Sequence, residues 1–88
     1  MEVLFLRSFT NDIKRIKEKM LKKRLKQFIE DLEQSENIKG FRGIKKLSGH
    51  QNAFRLRIGN YRLGFYVVDN EVHFDRFLKR NDIYKVFP

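Results

Sequence analysis

The chain has 88 residues, 41% of them hydrophobic with nine Phe, which is enough for one compact core and too little for two, so residues 1–88 are expected to form a single domain. It has no Cys and only two His, which excludes a disulfide framework and a thiolate metal site and leaves no ordinary zinc set; no metal and no cofactor are expected, and stability must come from packing. A formal net charge of +9 on so short a chain repels itself unless something offsets it, and points to a polyanionic partner, nucleic acid before anionic membrane. The excess is uneven: residues 1–38 carry net +2 and residues 39–88 net +7, so the C-terminal half is the anion-facing half.

The opening MEVLFLRSF holds only a short apolar run before a charged segment, too brief for a signal peptide or a membrane span, and the expected location is the cytoplasm. Val3 to Leu6 reads as a buried strand, with Ser8 or Thr10 as the N-cap of a helix. Phe9, Ile13, Ile16 and Met20 follow at helical spacing. Leu21, Leu25, Phe28, Ile29 and Leu32 continue with a second apolar stripe, as a helical hairpin or one kinked helix. The basic run KKRLK at 22–26 reads as a solvated helix face or as an auxiliary phosphate contact. Residues 35–52, with three Gly, read as a long connection containing about one helical turn.

From Ala53 the period changes from helical to two. Phe54, Leu56 and Ile58 share one face and Arg55 and Arg57 the other, and Gly59-Asn60 supplies a two-residue turn. A second strand follows, then Asp69-Asn70 as another tight turn, then a third strand over Val72 to Leu78. The expected class is α+β: two N-terminal helices packed on a small, mainly antiparallel four-stranded sheet in the order β-α-α-β-β-β.

The turns predict a register. Gly59-Asn60 places Ile58 opposite Tyr61, Arg57 opposite Arg62, Arg55 opposite Gly64 and Phe54 opposite Phe65. Asp69-Asn70 places Tyr66 opposite His73, Gly64 opposite Asp75 and Arg62 opposite Phe77. One face then gathers Arg55, Arg57, Arg62, Tyr66 and His73. Directly opposed like charges are unfavourable by about 0.2–1 kcal/mol, a local conflict of the kind expected at functional sites; the alternative is that these arginines snorkel at a solvated face. Gly64 leaves room for another backbone or a ligand. The tail FLKRNDIYKVFP adds Lys79, Arg80, Tyr84 and Lys85, and Tyr84 taken alone reads as an anchor on the core. Surrounding positive charge is expected to keep His73 neutral, as a base, a stacking platform or a half-buried partner of Tyr66. His50 reads as a loop residue.

Guanidinium, ammonium and phenol groups on a shallow floor, without a carboxylate pair, suit attack of a ribose 2′-OH on the adjacent phosphate, which needs positive charge for the phosphorane and groups to move two protons. A non-catalytic nucleic-acid-binding floor would have the same composition.

KKLSG at 45–49, FRLRIGNYRLGFY at 54–66 and FLKRNDIYKVFP at 77–88 together resemble the RelE/ParE superfamily of toxins from type II toxin–antitoxin systems. The most specific element is the R-x-R-x-G-x-Y-R hairpin followed by a basic pair and a D-I-Y ending. The resemblance, closest to the RelE-like branch, implies a RelE-like microbial ribonuclease fold and a ribosome-dependent mRNA endonuclease that enters the A site, cuts to leave a 2′,3′-cyclic phosphate and inhibits translation. By motif it assigns catalytic roles to Arg62 (phosphate stabilisation), Arg80, and Tyr84 (base stacking or proton transfer), and RNA binding to Arg55, Arg57, Lys46, Lys79, Tyr66 and His73. Arg55 and Arg57 stand where the best-known RelE proteins have lysines, and arginine is a poor proton acceptor. Lys79 stands where many relatives have histidine, which leaves Lys46 and His73 as candidate bases. The ParE branch implies inhibition of DNA gyrase instead. Either branch implies a cognate antitoxin in a toxin–antitoxin hetero-oligomer, alongside ribosome and mRNA, and no membrane.

Overall fold

Alternating side chains at Phe54–Ile58 and the tight turns on either side of Tyr61–Val68 generate a meander, and a computed structural model, which describes all 88 residues, Met1–Pro88, shows how the rest of the chain assembles on it. The elements are β1 (Glu2–Phe5), α1 (Arg7–Lys14), α2 (Lys19–Glu33), β2 (Ile44–Lys46), β3 (Ala53–Ile58), β4 (Tyr61–Val68), β5 (Glu71–Lys79) and α3 (Arg80–Val86). They form one sheet in the order β1-β5-β4-β3-β2, antiparallel except for the parallel β1–β5 edge. The α+β class and mainly antiparallel sheet are as expected, but the sheet has five strands rather than four, and a third helix ends the chain. The extra strand, β2, lies inside the stretch read as a connection. At three residues it has too little alternation to stand out without its partner, β3.

On one face of the sheet α1, α2 and the link between them bury a core of Phe9, Ile16, Leu21, Leu25, Phe28 and Leu32 against Leu56, Ile58, Leu63, Phe65, Val72, Phe74 and Phe77. Stacked and edge-on contacts run through it, with Phe28 ring centroids 6.0 Å from Phe74 and 5.5 Å from Phe41. The expected second stripe is the buried face of α2, Ile29 being half-buried. The first stripe stops early: the helix breaks between Lys14 and Lys19, and Met20 is 67% exposed. The break lets α1 run along the edge of β5 while α2 crosses the sheet.

That edge explains why neither Ser8 nor Thr10 caps α1. Leu6 is the N-cap, without a side-chain bond, because β1 ends at Phe5 and the β5 edge beyond it needs partners. The hydroxyl of Ser8 donates to Asp75, whose backbone O and Oδ1 lie 2.8 and 2.6 Å away. Buried Asp12 accepts from the backbone N of Phe77 at 2.9 Å and from Arg76 Nε and Nη2 at 2.8 and 3.2 Å. The bond from Asp12, ahead of the opposing effect of burial, raises the Arg76 pKa above its ordinary value. Asp12→Ala orphans a buried backbone N–H and a half-buried guanidinium; we expect a loss of about 2 kcal/mol, read as a lower urea midpoint at an unchanged slope. An unchanged midpoint would contradict this account of the edge.

The first hairpin has the expected register, with Arg57 opposite Arg62 and Arg55 opposite Gly64, and Gly59 supplies a positive φ of 58°. The second keeps Tyr66 opposite His73 and then shifts by one: Gly64 faces Arg76 rather than Asp75, and Arg62 faces Leu78 rather than Phe77. The cause is a bulge in β5 opposite the Gly64–Phe65 step. The extra residue brings Phe74 and Phe77, three apart in sequence, onto the same core face, where both are fully buried.

Candidate functional site

The face of the sheet away from α1 and α2 carries Arg55 and Arg57 from β3 and Arg62 from β4. Here α3 docks through a small second core, Leu47, Ala53, Ile83 and Phe87, with Tyr66 and Leu78 packed against it. Its key contact is at Gly64. An ideal Cβ there would lie 2.5 Å from Phe87 Cδ2, so the missing side chain admits the Phe87 ring. The space at Gly64 is filled by this chain's own tail, not by a ligand or another backbone.

Docking α3 in this way places Tyr84, 48% exposed, over the arginines. The Arg55 guanidinium carbon lies 4.5 Å from the centre of its ring and that of Arg80 6.0 Å, while Arg80 Nε donates to the Tyr84 hydroxyl at 3.2 Å. Arg80 is itself placed by its backbone N–H, which donates to Asn60 O at 3.0 Å across the hairpin turn. Tyr84, Gly43, Lys45, Arg55, Arg57 and Arg62 line an open cleft of about 240 Å³ with no carboxylate on its walls. That is below the roughly 300–1,000 Å³ typical of drug-sized ligand pockets and suits a phosphate-sized anion.

Arg62 Nη1 donates to Gly59 O and Tyr61 O at 3.0 and 2.9 Å. Those two carbonyls offset part of the repulsion from Arg57 and hold the guanidinium in place, leaving its other N–H groups for a ligand. The bond from Arg80, ahead of the opposing effect of desolvation and with help from the charges of Arg80, Arg55 and Arg62, lowers the Tyr84 phenol below its ordinary value. Tyr66 moves the other way, raised first by burial and then by the Asp75 carboxylate. An absorbance titration of the phenolates is therefore expected to show Tyr84 ionising below the ordinary tyrosine value of about 10 and Tyr66 above it. Tyr84→Phe should remove the lowered step and Arg80→Ala should move it upward; a titration unchanged by either would rule out the assigned hydrogen bond.

The structure brings Arg55, Arg57, Arg62, Arg80 and Tyr84 together and leaves the other sequence-chosen residues outside. Tyr66 packs against Phe87 with ring centroids 5.2 Å apart, beneath α3. His73 Nε2 lies 3.0 Å from Glu71 Oε1, so its nearest charge is negative, contrary to the expected positive surroundings. Lys79 precedes α3 in a separate hollow with Asn60, Arg80, Asn81 and Asp82. Lys46 pairs with Phe54 and Lys45 with Arg55, and this parity puts Lys45, not Lys46, on the arginine face and in the cleft. Sequence reading missed Lys45 because the signal, a period-two continuation through Ile44–Lys46, is legible only once β2 is known to pair with β3. The lysines at 22–26 belong to α2, on the opposite face of the sheet.

The family model described as the ParE toxin of type II toxin–antitoxin systems, parDE, matches residues 3–84. The sequence is 38% identical over 89 residues, spanning both chains completely, to the toxin RelE3 of Methanocaldococcus jannaschii. The fold matches the crystal structure of the RelB–RelE antitoxin–toxin complex from Methanococcus jannaschii with a TM-score of 0.84 at 36% identity, covering 97% of this chain and 99% of that one. It also matches the archaeal RelE–RelB complex from Pyrococcus horikoshii OT3 with a TM-score of 0.73, covering 90% and 93% of the two chains; at 20% identity that likeness concerns the fold alone.

Proposed function

The chain belongs to the ParE/RelE family of toxins of type II toxin–antitoxin systems, and from that premise we propose that it is a ribosome-dependent endoribonuclease that cuts mRNA in the A site. The observation that carries this reading is the carboxylate-free cleft in which Tyr84, stacked on Arg55 and bonded by Arg80, overhangs Arg57 and Arg62.

In the proposed reaction the ribose 2′-OH gives up its proton as its oxygen attacks the neighbouring phosphorus, the P–O5′ bond breaks, and the departing 5′-oxygen takes up a proton, so that the products are a 2′,3′-cyclic phosphate and a 5′-hydroxyl with no net gain or loss of protons. Arg62 and Arg57 bind the non-bridging oxygens where negative charge develops. Tyr84 offers a ring for a base to stack on and a phenol that exchanges a proton more readily than an ordinary tyrosine. Arg80, which donates to the Tyr84 hydroxyl, stabilises that oxygen when it carries negative charge. Lys45 adds charge beside Arg55. Lys45→Ala is expected to slow cleavage about tenfold and Lys46→Ala less than twofold, since only Lys45 lines the cleft; equal effects would contradict the strand register.

A cognate antitoxin is proposed as the partner that offsets the charge and covers the cleft. The Methanococcus jannaschii complex similar to this chain pairs a RelE toxin with a RelB antitoxin, and net +9 favours a partner with acidic groups at its binding segment.

The test is primer extension on a defined mRNA in purified programmed ribosomes, with a ribosome-free control. A-site cuts that require the ribosome are expected. If folded protein gives no cuts and instead blocks DNA supercoiling, the reading is replaced by gyrase inhibition; salt-dependent RNA binding without product would reduce it to a binding module.

A further inference from the structure

Tyr84 separates the arginine cleft from a second hollow, to which the motifs at 45–49 and 77–88 bring Leu47, Ser48, Phe87 and Pro88 without any role assigned to them. The two share Lys45, Arg55 and Tyr84 as a common wall, so a single strand crossing Tyr84 passes from one into the other. The second hollow, about 300 Å³, is different in character: Leu47, Phe87 and Pro88 contribute apolar surface, and Ser48 and His50 are polar. Leu47 and Phe87 are buried members of the second core, and so are fixed in place by packing.

Ser48 and His50 are held by local backbone geometry. The His50 N–H approaches Leu47 O at 3.4 Å, and Gly49 at the third position has φ 78°, the positive φ that a type II turn requires there. Leu47 N–H donates to Ala53 O at 2.9 Å and closes the loop. Both polar side chains are exposed. A phosphate has no use for an apolar surface, whereas an unstacked nucleobase has an apolar face and a polar edge, and proteins read such bases by stacking and edge hydrogen bonds.

We propose that the hollow formed by Leu47, Ser48, His50, Phe87 and Pro88 is a nucleobase subsite, which takes an unstacked base of single-stranded RNA next to the nucleotide whose phosphate lies on the arginines. It rests on the RNA reading above and extends it from charge to base recognition: Tyr84 contacts one base, and Ser48 and His50 read the edge of its neighbour.

The test uses 2′-O-methylated RNA trinucleotides, which lack the attacking hydroxyl, with the full chain in fluorescence anisotropy. Each position is replaced in turn by an abasic sugar. One stacked base is worth roughly five- to 150-fold in affinity, so wild type is expected to lose about tenfold at two of the three positions. His50→Ala and Ser48→Ala should each reduce the loss at one of those positions to below threefold and leave the other unchanged, whereas Arg62→Ala should weaken intact and abasic ligands equally. A loss at only one position, or two losses that neither His50→Ala nor Ser48→Ala alters, would overturn the subsite. Because this assay reads binding and the ribosome assay reads cutting, the subsite and the endonuclease reading can fail separately.

Discussion

Arg62→Ala is expected to lower A-site cleavage by roughly 10²–10³-fold, the usual effect of removing one preorganised donor from a developing oxyanion, while leaving the protein at least as stable as wild type. The two halves of this expectation have one cause. Arg62 stands directly opposite Arg57, so its removal deletes a like-charge cross-strand pair that costs about 0.2–1 kcal/mol. Its bonds to Gly59 O and Tyr61 O are made at a turn where water can replace them. Activity should therefore fall without a fall in melting temperature. Arg62→Lys keeps the charge but loses the planar fork, and should recover only part of the rate. Primer extension together with thermal unfolding checks both halves; normal cleavage by the Ala variant would remove Arg62 from the site, and a large loss of stability would mean that the arginine serves the hairpin.

Gly64→Ala should have the second largest effect, through a residue that touches no substrate. The added methyl would meet the Phe87 ring at 2.5 Å, and a ring locked in a core with Leu47, Ala53 and Ile83 cannot yield without lifting the end of α3. Overpacking of this kind costs about 1–3 kcal/mol. Lifting α3 also moves Tyr84 off Arg55 and away from Arg80 Nε, so cleavage should drop by roughly 10²-fold, the lower range for a misplaced proton-transfer group. The double variant Gly64→Ala with Phe87→Leu discriminates: the smaller side chain makes room for the methyl, so stability and cleavage should recover partly together, as a non-additive coupling between the two positions. Strict additivity would show that Gly64 and Phe87 do not form the lock.

Much of the fold is local. Helical spacing of Leu21, Leu25, Phe28 and Leu32, period-two alternation at Phe54–Ile58 and the turn residues at Gly59-Asn60 dictate α2, the first hairpin and its register, because each depends on neighbours within a few positions. Opposition of Arg57 and Arg62 follows from those alone, so the conflict that marks this face is legible in the sequence itself. Tyr84 and Arg80 are legible by motif, but by themselves suggest no more than an anchor and a basic tail.

The tertiary structure decided the rest, wherever one residue of offset or one distant contact changes the outcome. Lys45 replaces Lys46 in the cleft because β2 exists only by pairing with β3, and side-chain parity follows from that pairing. Arg62 lies opposite Leu78 rather than Phe77 because the β5 bulge lets Phe74 and Phe77 share the core, a demand set by packing across the sheet. Tyr84 meets Arg55, 29 positions away in the chain, because Gly64 leaves a space the size of the Phe87 edge. Local pattern carries turns and periods. Which face a residue joins, and which distant residue it meets there, is set by non-local packing that no window of the sequence contains.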